Sequence, residues 1–143
     1  MKRYGESLKR NKKYFTRVGV YGLITVGKNI LLTEQNGEEV QLPGGGMDKG
    51  EQILHTLVRE SFEETGWKIQ PVKRLGVFQR YAFMEEYNLW AHKIAHIYHC
   101  RGIYPTNSNL EEGHIPIITS PEQAARILED DGNRDFVKKF FKF

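Results

Sequence analysis

Glu60, Glu63 and Glu64 crowd three carboxylates into five residues, with Arg59 directly before them and Glu51 eight positions earlier than Arg59. On a helix advancing about 100° per residue, Glu64 lies near 40° and Glu63 near −60° from Glu60, so the three share an arc of roughly 100°. Like charges at these spacings repel. The expected helix ends soon afterwards, and its dipole disfavours anions in the last turn. Two local rules are broken in one place, which is where functional sites are expected. A hard divalent cation resolves the conflict: magnesium takes oxygen ligands and commonly bridges one or two carboxylates to substrate phosphates. The plainer reading is a solvated acidic helix end paired with Lys or Arg.

The residues before this segment sharpen the choice. Pro43 leads into Gly44-Gly45-Gly46, where missing side chains let backbone N–H groups approach a ligand. The run is expected to break regular structure and to lead into a helix N-terminus, a place suited to anions. It is neither a Walker A loop nor a dinucleotide-binding fingerprint, because no Gly-Lys-Ser/Thr follows and the third glycine spacing fails.

Residues 45–67 resemble the Nudix box, Gly-x5-Glu-x7-Arg-Glu-U-x-Glu-Glu-x-Gly-U with U apolar. Gly45, Glu51, Arg59, Glu60, Glu63, Glu64 and Gly66 stand at the fixed positions, Trp67 at the last apolar one, and Leu42-Pro43-Gly44 resembles the usual approach. Ser61 departs, standing where an aliphatic residue is usual. The resemblance implies an α/β fold, a Nudix-like α/β/α sandwich with a mixed sheet. It implies divalent-metal-dependent hydrolysis of a phosphoanhydride in a nucleoside diphosphate linked to a variable group. Carried over residue by residue, Glu60, Glu63 and Glu64 are the metal ligands for Mg2+, with Mn2+ as a substitute. Arg59 and Glu51 orient them, and Gly45 and Gly46 shape the substrate loop. Glu51 falls about 180° from Glu60 on the wheel, which suits an orienting residue better than a fourth ligand. The general base lies outside the box. Glu112 is the expected base, with Glu111 in the same loop and Glu85 and Glu86 as competitors. A competing reading keeps the fold but not the catalysis, as a silent nucleotide- or RNA-binding module.

These residues need a scaffold. RVGVYGLIT (17–25) and NILLTEQ (29–35) read as a hairpin, and EEVQL (38–42) as a short extended piece. Asp48 is the expected N-cap of the acidic helix, with Glu51 completing a capping box and Gly66 stopping it. Leu54, Leu57, Val58, Ser61 and Thr65 form its expected packing face. WKIQPVKRLGVFQRYAF is mostly extended, with breaks near Pro71 and Gly76. NLWAHKIAHIYHC (88–100) is a long strand candidate, 102–114 a polar loop and IPII (115–118) a short strand. Ser120, Pro121 and Gln123 announce a helix. Asp131-Gly132 reads as a turn before a short terminal helix.

The chain has 143 residues and fits one domain. Its net charge is +3, yet the first 17 residues carry seven basic side chains and one acid, so the remainder is net acidic. Residues 1–14 read as a basic, partly ordered leader and 15–143 as the domain. A basic leader can attract phosphates, but charge runs are usually solvated, and no helix-turn-helix, zinc-finger or RNP pattern supports specific nucleic-acid reading. The expected partner is a small nucleotide-type molecule, with nucleic acid a weaker alternative, and the protein a monomer or homodimer. One cysteine, no secretory h-region and no apolar run near 20 residues point to a cytoplasmic protein away from membranes. His92, His96, His99 and Cys100 resemble a metal set only if helical; on a strand His92 and His96 stand roughly 13 Å apart. Tyr81, Phe83, Tyr87 and Trp90 could stack a base but are expected in the core.

Overall fold

Leu23 and Ile24 are sequence neighbours, both fully buried, in a strand whose side chains alternate between faces. Such a strand is covered on both sides, and so is its partner carrying Ile30, Leu31 and Leu32, all three fully buried. The computed structural model describes residues 1–143. Its elements are β1 (Lys2–Gly5), β2 (Tyr14–Val26), β3 (Asn29–Gln35), β4 (Glu39–Gln41), β5 (Gly44–Gly46), α1 (Ile53–Thr65), β6 (Trp67–Met84), a 3-10 turn (Glu85–Tyr87), β7 (Leu89–Pro105), β8 (His114–Thr119), α2 (Pro121–Ile127) and α3 (Asp131–Phe141).

The eight strands form one sheet in the order β1-β6-β7-β2-β3-β4, with β5 paired to β2 and β8 to β3. Two pairings, β1–β6 and β2–β7, are parallel and the others antiparallel, so the sheet is mixed. On one face Leu23, Ile30, Leu32 and Ile97 pack with Ala124, Ala125 and Leu128 around α2, and with Val137 of α3. On the other, Val20, Ile24, Leu31, Ile69 and Cys100 pack against Leu57 of α1. The result is an α/β/α sandwich, as expected. Burying one such leucine or isoleucine contributes roughly 1.5–3 kcal/mol, so α1 is held to the sheet by several side chains and its carboxylates inherit that rigidity.

Some local expectations are corrected. The glycine run does not break the sheet: Gly44–Gly46 pairs antiparallel with Gly19–Tyr21. Gly44 has φ 149°, and a Cβ there would stand 2.1 Å from the Val20 carbonyl oxygen, so only glycine lets the two backbones come together. Helix α1 starts at Ile53 with Gln52 rather than Asp48 at its N-cap, and no side chain caps it. The Asp48–Glu51 stretch is a turn, in which the Glu51 carboxylate accepts the Asp48 N–H at 2.9 Å. Leu54 is 44% exposed rather than packed. Gly66 ends α1 at φ 73°, its N–H donating to the Phe62 carbonyl. Strand β6 runs unbroken through Pro71 and Gly76, absorbing both as register shifts against β7. Strand β7 continues to Pro105, taking in the first four residues of the segment expected as a polar loop. Asp131-Gly132 lies inside α3, whose N-cap is Asp130 accepting from the Asn133 N–H. Residues 2–5, expected within a partly ordered leader, form an edge strand along Phe78–Tyr81. Tyr4 explains this: its ring meets Phe78 edge-on and its hydroxyl donates to Asp135 at 2.7 Å.

Candidate active site

Helix α1 carries its acids on the stripe that Leu57 leaves free, and each acid has a different fixture. Glu64 is buried, one oxygen accepting the Gly44 N–H at 3.1 Å. Burial pushes its carboxyl up to about 8, against the opposing pull of that N–H, and the charges of Glu60, Glu111 and Glu63 push the same way. Glu60 is also raised, again first by burial. Its carboxylate lies where a side chain on Gly45 would be, since a Cβ there would meet the Glu60 carboxyl carbon at 2.7 Å. Gly45 is therefore needed to admit a carboxylate beside β5. Glu63 lies within 3.3 Å of the Arg59 Nη1, a group it shares with Glu60 at 3.1 Å.

Arg59 is held from behind by Glu51. Its Nε and Nη2 each donate to a Glu51 oxygen at 2.8 Å, a bidentate pair. Glu51 also accepts from the Thr56 hydroxyl at 3.0 Å. The arginine holds the Glu51 carboxyl down to about 2, and Arg59 is raised in turn, Glu51 being the main cause. Glu51 and Arg59 thus orient the cluster from one side, leaving Nη1 for Glu60 and Glu63.

A fourth carboxylate comes from far along the chain. The β7–β8 loop docks on the C-terminal end of α1: Thr106 donates its N–H and hydroxyl to the Gly66 carbonyl, and the Glu111 N–H donates to the Glu63 carbonyl at 2.7 Å. This sets the Glu111 carboxylate against two groups, Glu60 with Glu63, and Glu64 with His114. Within each group the candidate ligand atoms lie within 4.8 Å of one another. Glu112, the expected base, belongs to neither group and is exposed. The backbone bond to Glu63 instead brings the neighbouring Glu111, itself half exposed, against both groups. Glu85 and Glu86 form the 3-10 turn between β6 and β7 and belong to neither group, although Glu86 lines the cleft beyond Gly46. His114 is buried, with its Nδ1 3.0 Å from Thr33 Oγ1. No spacing rule links it to α1; only the β3–β8 pairing brings it there.

Gly46 opens on the opposite side of β5 into a cleft of about 280 Å³, lined also by Arg17, Tyr21, Arg80, Tyr87 and Lys93. Arg17 lies 4.5 Å over the Tyr87 ring, so an aromatic and a cation meet at its wall. Burial pushes the Tyr21 hydroxyl up to about 12, keeping it a neutral donor or acceptor at the floor. Arg80 is committed to Asp130 and Asp131 of the α3 start. Of the four aromatics expected in the core, Phe83 and Tyr87 are 41% and 55% exposed, while Tyr81 stacks on His92 and Trp90 meets Phe83 edge-on, outside both core clusters. His92, His96, His99 and Cys100 follow one another along β7 and gather no metal set.

The donor chemistry fits a divalent ion. Four carboxylates converge, one arginine answers two of them, and the most buried has only one backbone N–H. A hard cation held there would supply the missing countercharge. No helix is long and apolar enough to cross a membrane.

A family model described as NUDIX domain matches residues 14–140. A putative 8-oxo-dGTP diphosphatase of Bacillus subtilis is 35% identical over 69 residues, covering 48% of this chain and 46% of that protein. An RNA pyrophosphohydrolase of Brucella anthropi is 43% identical over 51 residues, covering 33% and 29%. The chain thus matches less than half the length of either relative. Among solved structures, a NUDIX hydrolase from Nitrosomonas europaea superposes with a TM-score of 0.73 at 16% identity, covering 90% of both chains. A MutT protein from Methanosarcina mazei does so at 0.68 and 25%, covering 91% of this chain and 96% of that one.

Proposed function

This chain belongs to the Nudix family, whose domain model spans residues 14–140, and on that premise we propose that it is a pyrophosphohydrolase. It hydrolyses a phosphoanhydride in a nucleoside diphosphate linked to a variable group, with Mg2+ as its metal and Mn2+ as a substitute. The observation that carries this is the convergence of Glu60, Glu63, Glu64 and Glu111 beside a glycine strand whose other side walls a cleft. The similarity to proteins named for 8-oxo-dGTP and RNA pyrophosphate chemistry supports the nucleotide class.

Glu60, Glu63 and Glu64 would hold the metal, with Glu111 joining them. A divalent ion held by them would supply positive charge beside the anhydride and ease deprotonation of the attacking water. The chain's own part is placement. Glu51 and Arg59 fix the carboxylate array so that little reorganisation is needed as charge develops on the anhydride. Glu111, the exposed member of the cluster, would take the proton of the attacking water on a carboxylate oxygen left free of metal. Arg17 and Lys93, at the cleft wall, would meet substrate phosphates, and Tyr87 offers a face for a base.

The test is release of phosphate or pyrophosphate from a panel of nucleoside triphosphates, oxidised nucleotides, dinucleoside polyphosphates, ADP-ribose and 5′-triphosphate RNA, with Mg2+. Glu64→Gln keeps the shape and the Gly44 contact but removes the charge, and turnover should fall by about 10²-fold or more, as for loss of one electrostatic group at a reacting centre. Undiminished turnover in a folded variant would remove Glu64 from the chemistry.

A further inference from the structure

His114 stands with a fixed ring between two of the four carboxylates. Its side chain is buried and its Nδ1 pairs with the buried Thr33 hydroxyl at 3.0 Å. Its Nε2 is 3.8 Å from a Glu64 oxygen and 3.7 Å from a Glu111 oxygen. Those separations are too long for hydrogen bonds. They match two atoms that share an ion: ligands at about 2.0–2.2 Å from a metal stand roughly 3–4 Å from each other. In the tautomer whose Nδ1–H donates to the Thr33 hydroxyl, the Nε2 lone pair faces the gap, the usual support arrangement of a metal-bound imidazole.

The two groups around Glu111 differ in chemistry. Glu60, Glu63 and Glu111 offer oxygen alone, whereas Glu64, Glu111 and His114 add a nitrogen. Carboxylate oxygen suits Mg2+ and Mn2+, while imidazole suits ions of the Fe2+ to Zn2+ series. We propose that His114 is a metal ligand, making with Glu64 and Glu111 a second cation position that prefers a borderline transition ion over Mg2+. This rests on the reading that the α1 carboxylates bind metal, and it adds a ligand that no motif on α1 contains.

The test uses the full chain with Co2+ as probe, by calorimetry and by the visible absorption of the bound ion, and Mg2+ in parallel. Wild type should bind Co2+ with a band position that reflects a nitrogen ligand. His114→Gln should shift that band and weaken Co2+ by at least the roughly 10–100-fold lost when a group supporting a ligand is removed, with Mg2+ affinity changed much less. Thr33→Val, which keeps the imidazole but removes its hydrogen-bond partner, should weaken Co2+ in the same direction. If His114→Gln unfolds, the valine variant decides alone. An unchanged Co2+ spectrum and Co2+/Mg2+ ratio in the variants, with only a lower melting temperature, would show that His114 merely bridges two carboxylates and would overturn the proposal. In that outcome Mg2+-dependent hydrolysis by wild type leaves the enzymatic reading standing. Absence of both hydrolysis and any metal binding in wild type would instead sink that reading, and this one with it.

Discussion

Ser61 occupies the middle of the buried stripe of α1 with a hydroxyl that finds no partner. A buried unsatisfied polar group costs about 1–3 kcal/mol, so Ser61→Ala should stabilise the protein by about 1 kcal/mol, read from denaturant unfolding. The departure from an aliphatic residue is thus a packing and polarity cost, and it leaves the acidic stripe untouched. Glu51 gives a pH signature. Its carboxyl is held down to about 2 in the folded state, from an ordinary value near 4.5, by Arg59. A depressed folded value adds stability that is fully present above about pH 4.5 and is lost as pH falls toward 2. Glu51→Gln should therefore melt below wild type at pH 7, and the gap should close between pH 4.5 and 2. A gap that stays constant across that range would detach Glu51 from the Arg59 pair. At this scale the box residues were legible because their types and spacing lie on one helix. Glu111 was not separable from Glu112, since the choice is made by one backbone hydrogen bond to Glu63.

Elements show where local rules compete with packing. Gly132 follows an aspartate, a pattern that favours a turn, yet it sits in the first turn of α3. A Cβ there would stand 2.6 Å from the Phe78 ring, so the glycine serves the close approach of helix and sheet. Gly132→Ala, although it favours helix in isolation, should destabilise by about 1–3 kcal/mol through overpacking, measurable by thermal melting. A stabilised variant would show that Phe78 yields easily. The same competition explains β5. Three glycines have poor strand propensity, but Gly44 and Gly45 admit the Val20 carbonyl and the Glu60 carboxyl at distances no side chain allows. The wheel placed Glu60, Glu63 and Glu64 on one arc because α1 is regular; it misplaced Leu54, which stays 44% exposed while its neighbour Ile53 packs on the sheet-side cluster.

At the scale of the whole molecule, the basic N-terminal segment is part of the fold at its start. Lys2–Gly5 extends the sheet edge, Tyr4 packs on Phe78, and Tyr4 and Lys2 both reach Asp135 of α3. The following lysines lie over aromatic rings, Lys9 and Lys12 above Trp90. Removing residues 1–5 should lower stability by about 1–3 kcal/mol, the worth of a partly buried aromatic with its hydrogen bond. Chemical denaturation of the shortened chain checks this, and an unchanged midpoint would return the segment to the status of a loose leader. Charge alone could not reveal the strand, because the side chains that dominate residues 1–17 are solvated and only Tyr4 faces the core.

The sequence alone determined the acidic arc and the end of α1 at Gly66, because helix period, charge and turn chemistry act over a few neighbouring residues; the Glu51 brace and the sandwich class came with the resemblance to the Nudix box. Tertiary structure decided what lies across the sheet. It joined Glu111 and His114 to α1 through a loop bond and a β3–β8 pairing, made the glycine run a strand, and opened the cleft between Gly46, Arg17–Gly19 of β2 and Lys93–Ala95 of β7. Each of these contacts joins residues tens of positions apart, and the close approach of backbones that creates them leaves no periodic trace in the chain.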